Sequence, residues 1–223
     1  MARLTWFGHA AFKIEMSDNV ILVDPFLDGN PASPVKPSDI THADMVFVTH
    51  DHGDHLGDAF SICKGTNATL VATVELTDYA EENGVKKVEG LNIGGSVEIK
   101  GVKLTVVQAF HTACRGAPTG VIIEGEGRAV YHAGDTGFFG DMRFLGEFYK
   151  LDVAMVPIGG YYTMGAREAA EAVKLLNPKA VIPMHYKTFP VLAQSADEFV
   201  QYVKEKARKT RVVVLKPGED YQF

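Results

Sequence analysis

Residues 50 to 55 read His50-Asp51-His52-Gly53-Asp54-His55, directly after the apolar run Met45-Val46-Phe47-Val48. Imidazoles and carboxylates at this density are donors suited to Zn²⁺, Mn²⁺ or iron. In an extended segment, side chains at i and i+2 share a side, so His50 and His52 can chelate one cation as a pair. If the chain turns into a helix at Gly53, Asp54 and His55 aim at a second cation beside the first. The alternative is a polar surface loop with histidines by chance, and the rest of the chain argues against it. Three further candidate ligands each close an apolar, strand-like run: His111 after Leu104–Phe110, Asp135 after Ala129–Gly134, and His185 after Ala180–Met184. Ligands commonly sit where a rigid strand hands over to a loop. The set of five His and two Asp, shared between two ions, leaves each ion open to solvent. A structural zinc site is closed by four ligands and favours Cys, so an open site points to catalysis.

The bulk properties suit one domain over residues 1–223, long enough to bury a core without crosslinks. A net charge of −6 argues against a nucleic-acid footprint across the chain as a whole. Two cysteines, Cys63 and Cys114, suggest a reduced, cytoplasmic setting. The first residues do not read as a signal peptide, and no run approaches the ~20 apolar residues of a membrane span. No internal repeat or low-complexity tract is visible. Homo-oligomerisation stays open.

Apolar runs and turn signals predict strands over 2–7, 11–16, 20–23, 45–48, 69–72, 86–89, 97–99, 102–108, 119–124, 128–131, 152–156, 180–183 and 211–215. Helices are predicted over 55–63, 74–83, 165–176 and 195–208, with another around 141–149. Hairpins first, then strands alternating with helices, predict an α/β (α+β) fold: two mixed sheets face to face with helices outside.

The residues Thr49-His50-Asp51-His52-Gly53-Asp54-His55, His111, Ala133-Gly134-Asp135-Thr136 and Pro183-Met184-His185, in this order, resemble the metallo-β-lactamase-fold superfamily. The opening Leu4-Thr5-Trp6-Phe7-Gly8-His9-Ala10-Ala11-Phe12 and Ile21-Leu22-Val23-Asp24-Pro25 look like one branch, the L-ascorbate-6-phosphate-lactonase-like proteins and small metal-dependent hydrolases. The resemblance implies a four-layer αβ/βα sandwich with its site at one edge between the sheets. It also implies two divalent ions, Zn²⁺ foremost, with Mn²⁺ or Fe²⁺ as alternatives. His50, His52 and His111 are expected on one ion, Asp54, His55 and His185 on the other, and Asp135 bridging. Flavodiiron reductases of this superfamily carry Glu at the position of His52 and have an added flavodoxin domain. True β-lactamases place a Cys in the second site, and neither Cys63 nor Cys114 falls at a ligand position.

The implied activity is metal-dependent hydrolysis of an ester-like bond, a phosphodiester or a lactone, in a small anionic metabolite. Two close cations bring a shared water to hydroxide near neutral pH; Asp54 takes its proton and Asp135 holds the ions together. The competing classes are a mononuclear-iron oxygenase or non-hydrolytic metal-binding protein of the same fold, and a nuclease. The intact second site disfavours the former, and the lack of a long inserted arm disfavours the latter.

Four other residues are candidates near the site. Asp24 closes an apolar strand and suits the role of accepting the second N–H of a ligating His; a turn carboxylate is the alternative. His9 is a candidate for contact with substrate or with a ligand's partner. Thr163 stands where a helix start can hold an anion, or simply caps that helix. Lys187, two residues after His185, offers a point charge to a phosphate or carboxylate, or is solvated. His132 reads as structural. The proline-rich loop from Pro25 to Pro37 either rims the pocket or is plain surface.

Overall fold

In the strands β3 (Asn19–Val23), β4 (Met45–Phe47) and β5 (Thr69–Thr73), successive apolar side chains leave opposite faces of one sheet. Ile21, Val23, Met45, Phe47 and Val71 enter a core shared with the second sheet. Leu22, Val46, Leu70 and Ala72 pack under the helices α2 (Ala59–Thr66) and α3 (Val74–Glu82). Two-sided burial of this kind makes these strands near-continuous apolar runs. The computed structural model describes residues 2–223.

The first sheet is completed by β1 (Arg3–Trp6), β2 (Phe12–Met16), β6 (Val88–Leu91) and β14 (Asp220–Gln222), in the order β14-β1-β2-β3-β4-β5-β6. The second contains β7 (Ser96–Ile99), β8 (Val102–Gln108), β9 (Thr119–Gly125), β10 (Arg128–His132), β11 (Val153–Pro157), β12 (Ala180–Met184) and β13 (Arg211–Val212), in the order β13-β12-β11-β10-β9-β8-β7. Each sheet begins as an antiparallel meander and continues with parallel strands. Helices α4 (Met142–Tyr149), α5 (Ala166–Leu176) and α6 (Asp197–Lys206) accompany the second sheet. Ala169, Ala170, Val173 and Leu176 of α5 are buried in the larger core, the stripe that their spacing predicts. The result is the expected sandwich of two mixed sheets with outer helices. Among the described residues no helix is long and apolar enough to cross a membrane.

Three local predictions need correction. The helix predicted over 55–63 is two helices, α1 (Gly53–Leu56) and α2, broken at Gly57 with φ 42° and ψ −119°. A Cβ there would lie 2.6 Å from Phe26 Cα and 2.7 Å from the Pro25 carbonyl oxygen. The strand predicted over 211–215 pairs only at Arg211–Val212. The polar segment Asp220–Gln222, not predicted as a strand, returns to flank β1 in the first sheet.

Candidate metal centre

The carboxyl ends of parallel strands are where ligands gather in open α/β sheets, and here both sheets deliver their ends to one edge. Residues 49–55 follow β4, Asp24 follows β3, Asp135 follows β10 and His185 follows β12. His9 and His111 follow β1 and β8. The short helix α1 brings Asp54 and His55 round from His52. His50, His52 and His111 form one group whose donor atoms lie within 4.8 Å of one another. His9, Asp54, His55 and His185 form a second, and His50, His55 and Asp135 a third that joins them. All seven residues expected as ligands are therefore in one cluster, with His9 added to it.

Asp135 is central. Its Oδ1 lies 3.3 Å from His55 Nε2, and its Oδ2 lies 3.0 Å from His185 Nε2 and 3.5 Å from His111 Nε2. Asp54 Oδ2 is 4.0 Å from His185 Nε2 and 3.1 Å from His9 Nε2. His50 Nε2 faces His52 Nδ1 at 3.0 Å.

The hydrogen bonds around the cluster decide which atoms are left to bind. Asp24, fully buried, accepts from the Thr49 N–H (2.8 Å), the Thr49 hydroxyl (2.7 Å) and His55 Nδ1 (2.7 Å). With its proton given to Asp24, the Thr49 oxygen accepts from His50 Nδ1 at 2.9 Å. Both imidazoles then point Nε2 at the cluster, His50 with a lone pair and His55 with one once its Nε2 proton is displaced. His55 Nε2, Asp135 Oδ1 and both ring nitrogens of His185 are buried without a hydrogen-bond partner. Orphaned buried polar atoms are costly, and lone pairs converging on a carboxylate are the arrangement that a divalent cation satisfies. The donor set, nitrogen and oxygen without sulfur, suits Zn²⁺, Mn²⁺ or Fe²⁺.

Electrostatics point the same way. Burial drops the His50 imidazole to about 3 and His9 to about 4, so both are neutral at pH 7. Burial opposes the charge on Asp135, yet His55 and His185 overcome it and hold its carboxyl well below the usual range. Burial likewise opposes a charge on His55, but Asp135 and Asp24 raise it well above the ordinary imidazole value. The pocket thus retains positive charge at His55, where a cation would take the proton's place. Asp54 stays ionised despite burial because His9 bonds to it.

His9, Asp24 and His185 have φ of 53°, 46° and 55°. Non-glycine residues in this left-handed region carry strain of order 1–3 kcal/mol each and concentrate at functional sites.

A cavity of about 710 Å³ opens onto the cluster, within the range usual for small-molecule sites. His52, Asp54, His111, Asp135 and His185 form its floor, and Phe26, Thr112, Tyr162 and Phe189 its walls. Phe26 brings the proline-rich loop to the rim. Lys187 is exposed and does not line the cavity, and neither does Thr163. The Thr163 hydroxyl bonds to the Met164 carbonyl at 3.4 Å, while α5 starts from Gly165, so Thr163 does not cap it. His132 ties the Ala10 carbonyl (2.9 Å) to the Gly134 N–H (3.1 Å), away from the cavity. Thr49 opens the motif but has no role legible from sequence, and sequence reasoning misses Thr188; the Thr188 hydroxyl meets His9 Nδ1 at 2.9 Å across 179 residues of chain, a contact with no local signal.

A family model for the beta-lactamase superfamily domain matches residues 19–186. A protein from Thermofilum pendens described as a UPF0173 metal-dependent hydrolase is 50% identical over 230 residues, covering 100% of both chains. Another so described, from Methanopyrus kandleri, is 48% identical over 229 residues and covers 99% of each. The chain belongs to this family of metal-dependent hydrolases, within the metallo-β-lactamase superfamily. The solved structure of Igni18, a metallo hydrolase from the archaeon Ignicoccus hospitalis, superposes on it with a TM-score of 0.92 at 41% identity, covering 100% of this chain and 99% of that one. Membership in the superfamily agrees with both the two-sheet architecture and the edge position of the cluster.

Proposed function

We propose that this hydrolase cleaves an ester-like bond, a phosphodiester or a lactone, in a small molecule at a centre of two divalent cations, Zn²⁺ foremost. The observation that carries this reading is the set of buried, unpartnered donor atoms converging on Asp135. His50, His52 and His111 would hold one ion and Asp54, His55 and His185 the other, with Asp135 shared by the two groups. Bound there, the cations supply Lewis acidity to the scissile oxygen and lower the pKa of the attacking water.

The chain's own groups do the rest. Asp54, 28% exposed at its side chain against 2% for Asp135, is the more accessible of the two carboxylates on the cavity floor and can accept the water's proton. His9 bonds to Asp54 Oδ2, the oxygen that also faces His185, and so fixes the carboxylate at the cluster. Asp24 fixes the tautomer and tilt of His55 through Nδ1. Phe26, Tyr162 and Phe189 exclude water and receive the apolar part of the substrate. Among the described residues lining the cavity there is no Lys or Arg. A substrate anion therefore belongs at the scissile group, where the cations meet it, and Lys187 and Thr163 are not needed. That lining also disfavours a nuclease, and a mononuclear-iron oxygenase leaves Asp54, His55 and His185 without a role.

Since both sheets contribute donors, residues 1–223 act together as one domain. Free Cys63 and Cys114 support a cytoplasmic setting. The test is elemental analysis after titration with Zn²⁺ or Mn²⁺, followed by assay against phosphodiesters, lactones and thioesters. Two ions per chain and turnover of one ester class are expected. Saturation at a single ion would sink the dinuclear reading.

A further inference from the structure

Asp51 is the carboxylate of the 50–55 segment that the two-ion assignment leaves unused. We propose that it is a positioning residue for the first ion, clamping the loop that carries His111. The inference rests on the assignment of His111 to that ion. Asp51 lies between His50 and His52, and alternation along an extended segment turns it away from the ions. Its side chain is only 1% exposed. The carboxylate accepts from the Cys114 N–H at 2.8 Å and from the Arg115 guanidinium at 3.2 Å. The guanidinium in turn lies 3.8 Å above the Tyr79 ring on α3, a favourable cation–π distance.

The loop needs such a clamp. Residues 109–118 join β8 to β9, whereas hairpin loops usually have about two to five residues. His111 is the one first-ion histidine outside the 50–55 segment. Upstream, the Phe110 N–H donates to the Thr136 hydroxyl at 3.0 Å, next to Asp135. Downstream, the hold is Asp51. Gly116, with φ 63°, then lets the backbone pass against the Thr73 and Glu75 side chains, where any larger residue would clash. His111 is thereby suspended between the segment bearing its two partner imidazoles and the segment bearing the bridging carboxylate.

The metal-free chain is titrated with Zn²⁺ against a chromophoric chelator. The binding phase lost in His111→Ala marks the first ion. Asp51→Ala should weaken that phase about 10–100-fold, the usual effect of removing a ligand's support, and leave the other unchanged. Asp51→Asn keeps an acceptor for the Cys114 N–H and should fall between. Amide hydrogen exchange across 111–118 in the metal-free chain should quicken in Asp51→Ala. Wild-type affinity for both ions, or unchanged exchange in that loop, overturns the clamp. If the wild-type chain binds one ion only, the dinuclear reading fails, while faster exchange still supports the clamp. Should Asp51→Ala not fold, Arg115→Met removes the pair and the Tyr79 contact from the loop side and gives the same two readouts.

Discussion

At the scale of single residues, the cluster separates groups that hold a cation from groups that hold the holders. Asp54 belongs to both kinds, because its carboxylate faces His185 and the cavity while His9 grips one oxygen. Asp54→Asn keeps the size and one acceptor but removes charge and basicity. We expect the second ion to weaken and turnover to fall ~10²–10⁴-fold even at saturating metal, the worth of a general base. Rate and metal occupancy measured on the same sample check this. Full recovery on refilling would make Asp54 a ligand only. Asp24 tests the other kind. It accepts three hydrogen bonds and donates none, so Asp24→Asn turns an NH₂ group toward donors. The expected cost is roughly 1–3 kcal/mol of stability, with ion affinity on the His55 side reduced about 10–100-fold. Denaturant unfolding and ion titration measure the two; unchanged affinity would show that His55 holds its orientation without Asp24.

At the scale of elements, the site is built from strand ends, and that is why so much of it was legible. His111, Asp135 and His185 each follow a run whose apolar side chains had to be strand, and the burial of those runs fixes where the next residue emerges. Illegible features depend on contacts between distant segments. The break at Gly57 is one: the glycine caps α1, but what makes a glycine necessary there is the close approach of Pro25 and Phe26, distant in sequence. The Asp58 carboxylate strengthens this approach by accepting from the Leu27 and Asp28 N–H groups at 3.0 and 2.9 Å. Thr188 was invisible for the same reason, and β14 because its strand character comes from pairing with β1 rather than from apolar alternation. The Gly57 contact gives a prediction. Gly57→Ala should destabilise the chain by ~1–3 kcal/mol, the cost of a strained φ/ψ at a non-glycine residue, and displace Phe26 from the cavity wall. Denaturant unfolding reads the first effect and a rise in KM the second. A variant as stable as the wild type would mean that the 25–30 loop moves aside freely.

At the scale of the whole molecule, protons and cations compete for one cluster, and the linkage can be worked out by sign. In the metal-free chain, burial lowers His9 to about 4 and His50 to about 3, and also lowers His111 and His132. An unfolded imidazole titrates near 6.5. Below that pH the unfolded chain binds more protons at these four positions, so their contribution to stability is lost as pH falls toward 4. His55 has the opposite sign. Its raised value gives stability that is full below about 6.5 and is lost as pH rises through its native value. Asp24, Asp54 and Asp135, all lowered, add a further loss as pH falls below about 4. The metal-free chain should therefore be most stable near neutrality. Divalent ions need the same nitrogens unprotonated, and they replace the His55 proton that the metal-free chain loses at higher pH. The stabilisation by Zn²⁺ should accordingly grow with pH. At a free ion concentration ~1,000 times Kd it is about 4 kcal/mol per site, and each kcal/mol raises Tm by ~2–4 °C in a chain of this length. The measurement is Tm with and without Zn²⁺ from about pH 5 to pH 8, spanning the imidazole range. The increment should be large at the upper end and shrink steeply toward the lower. An increment independent of pH would place the bound ion on groups other than these histidines, and the cluster would then owe its unpartnered nitrogens to something other than metal binding.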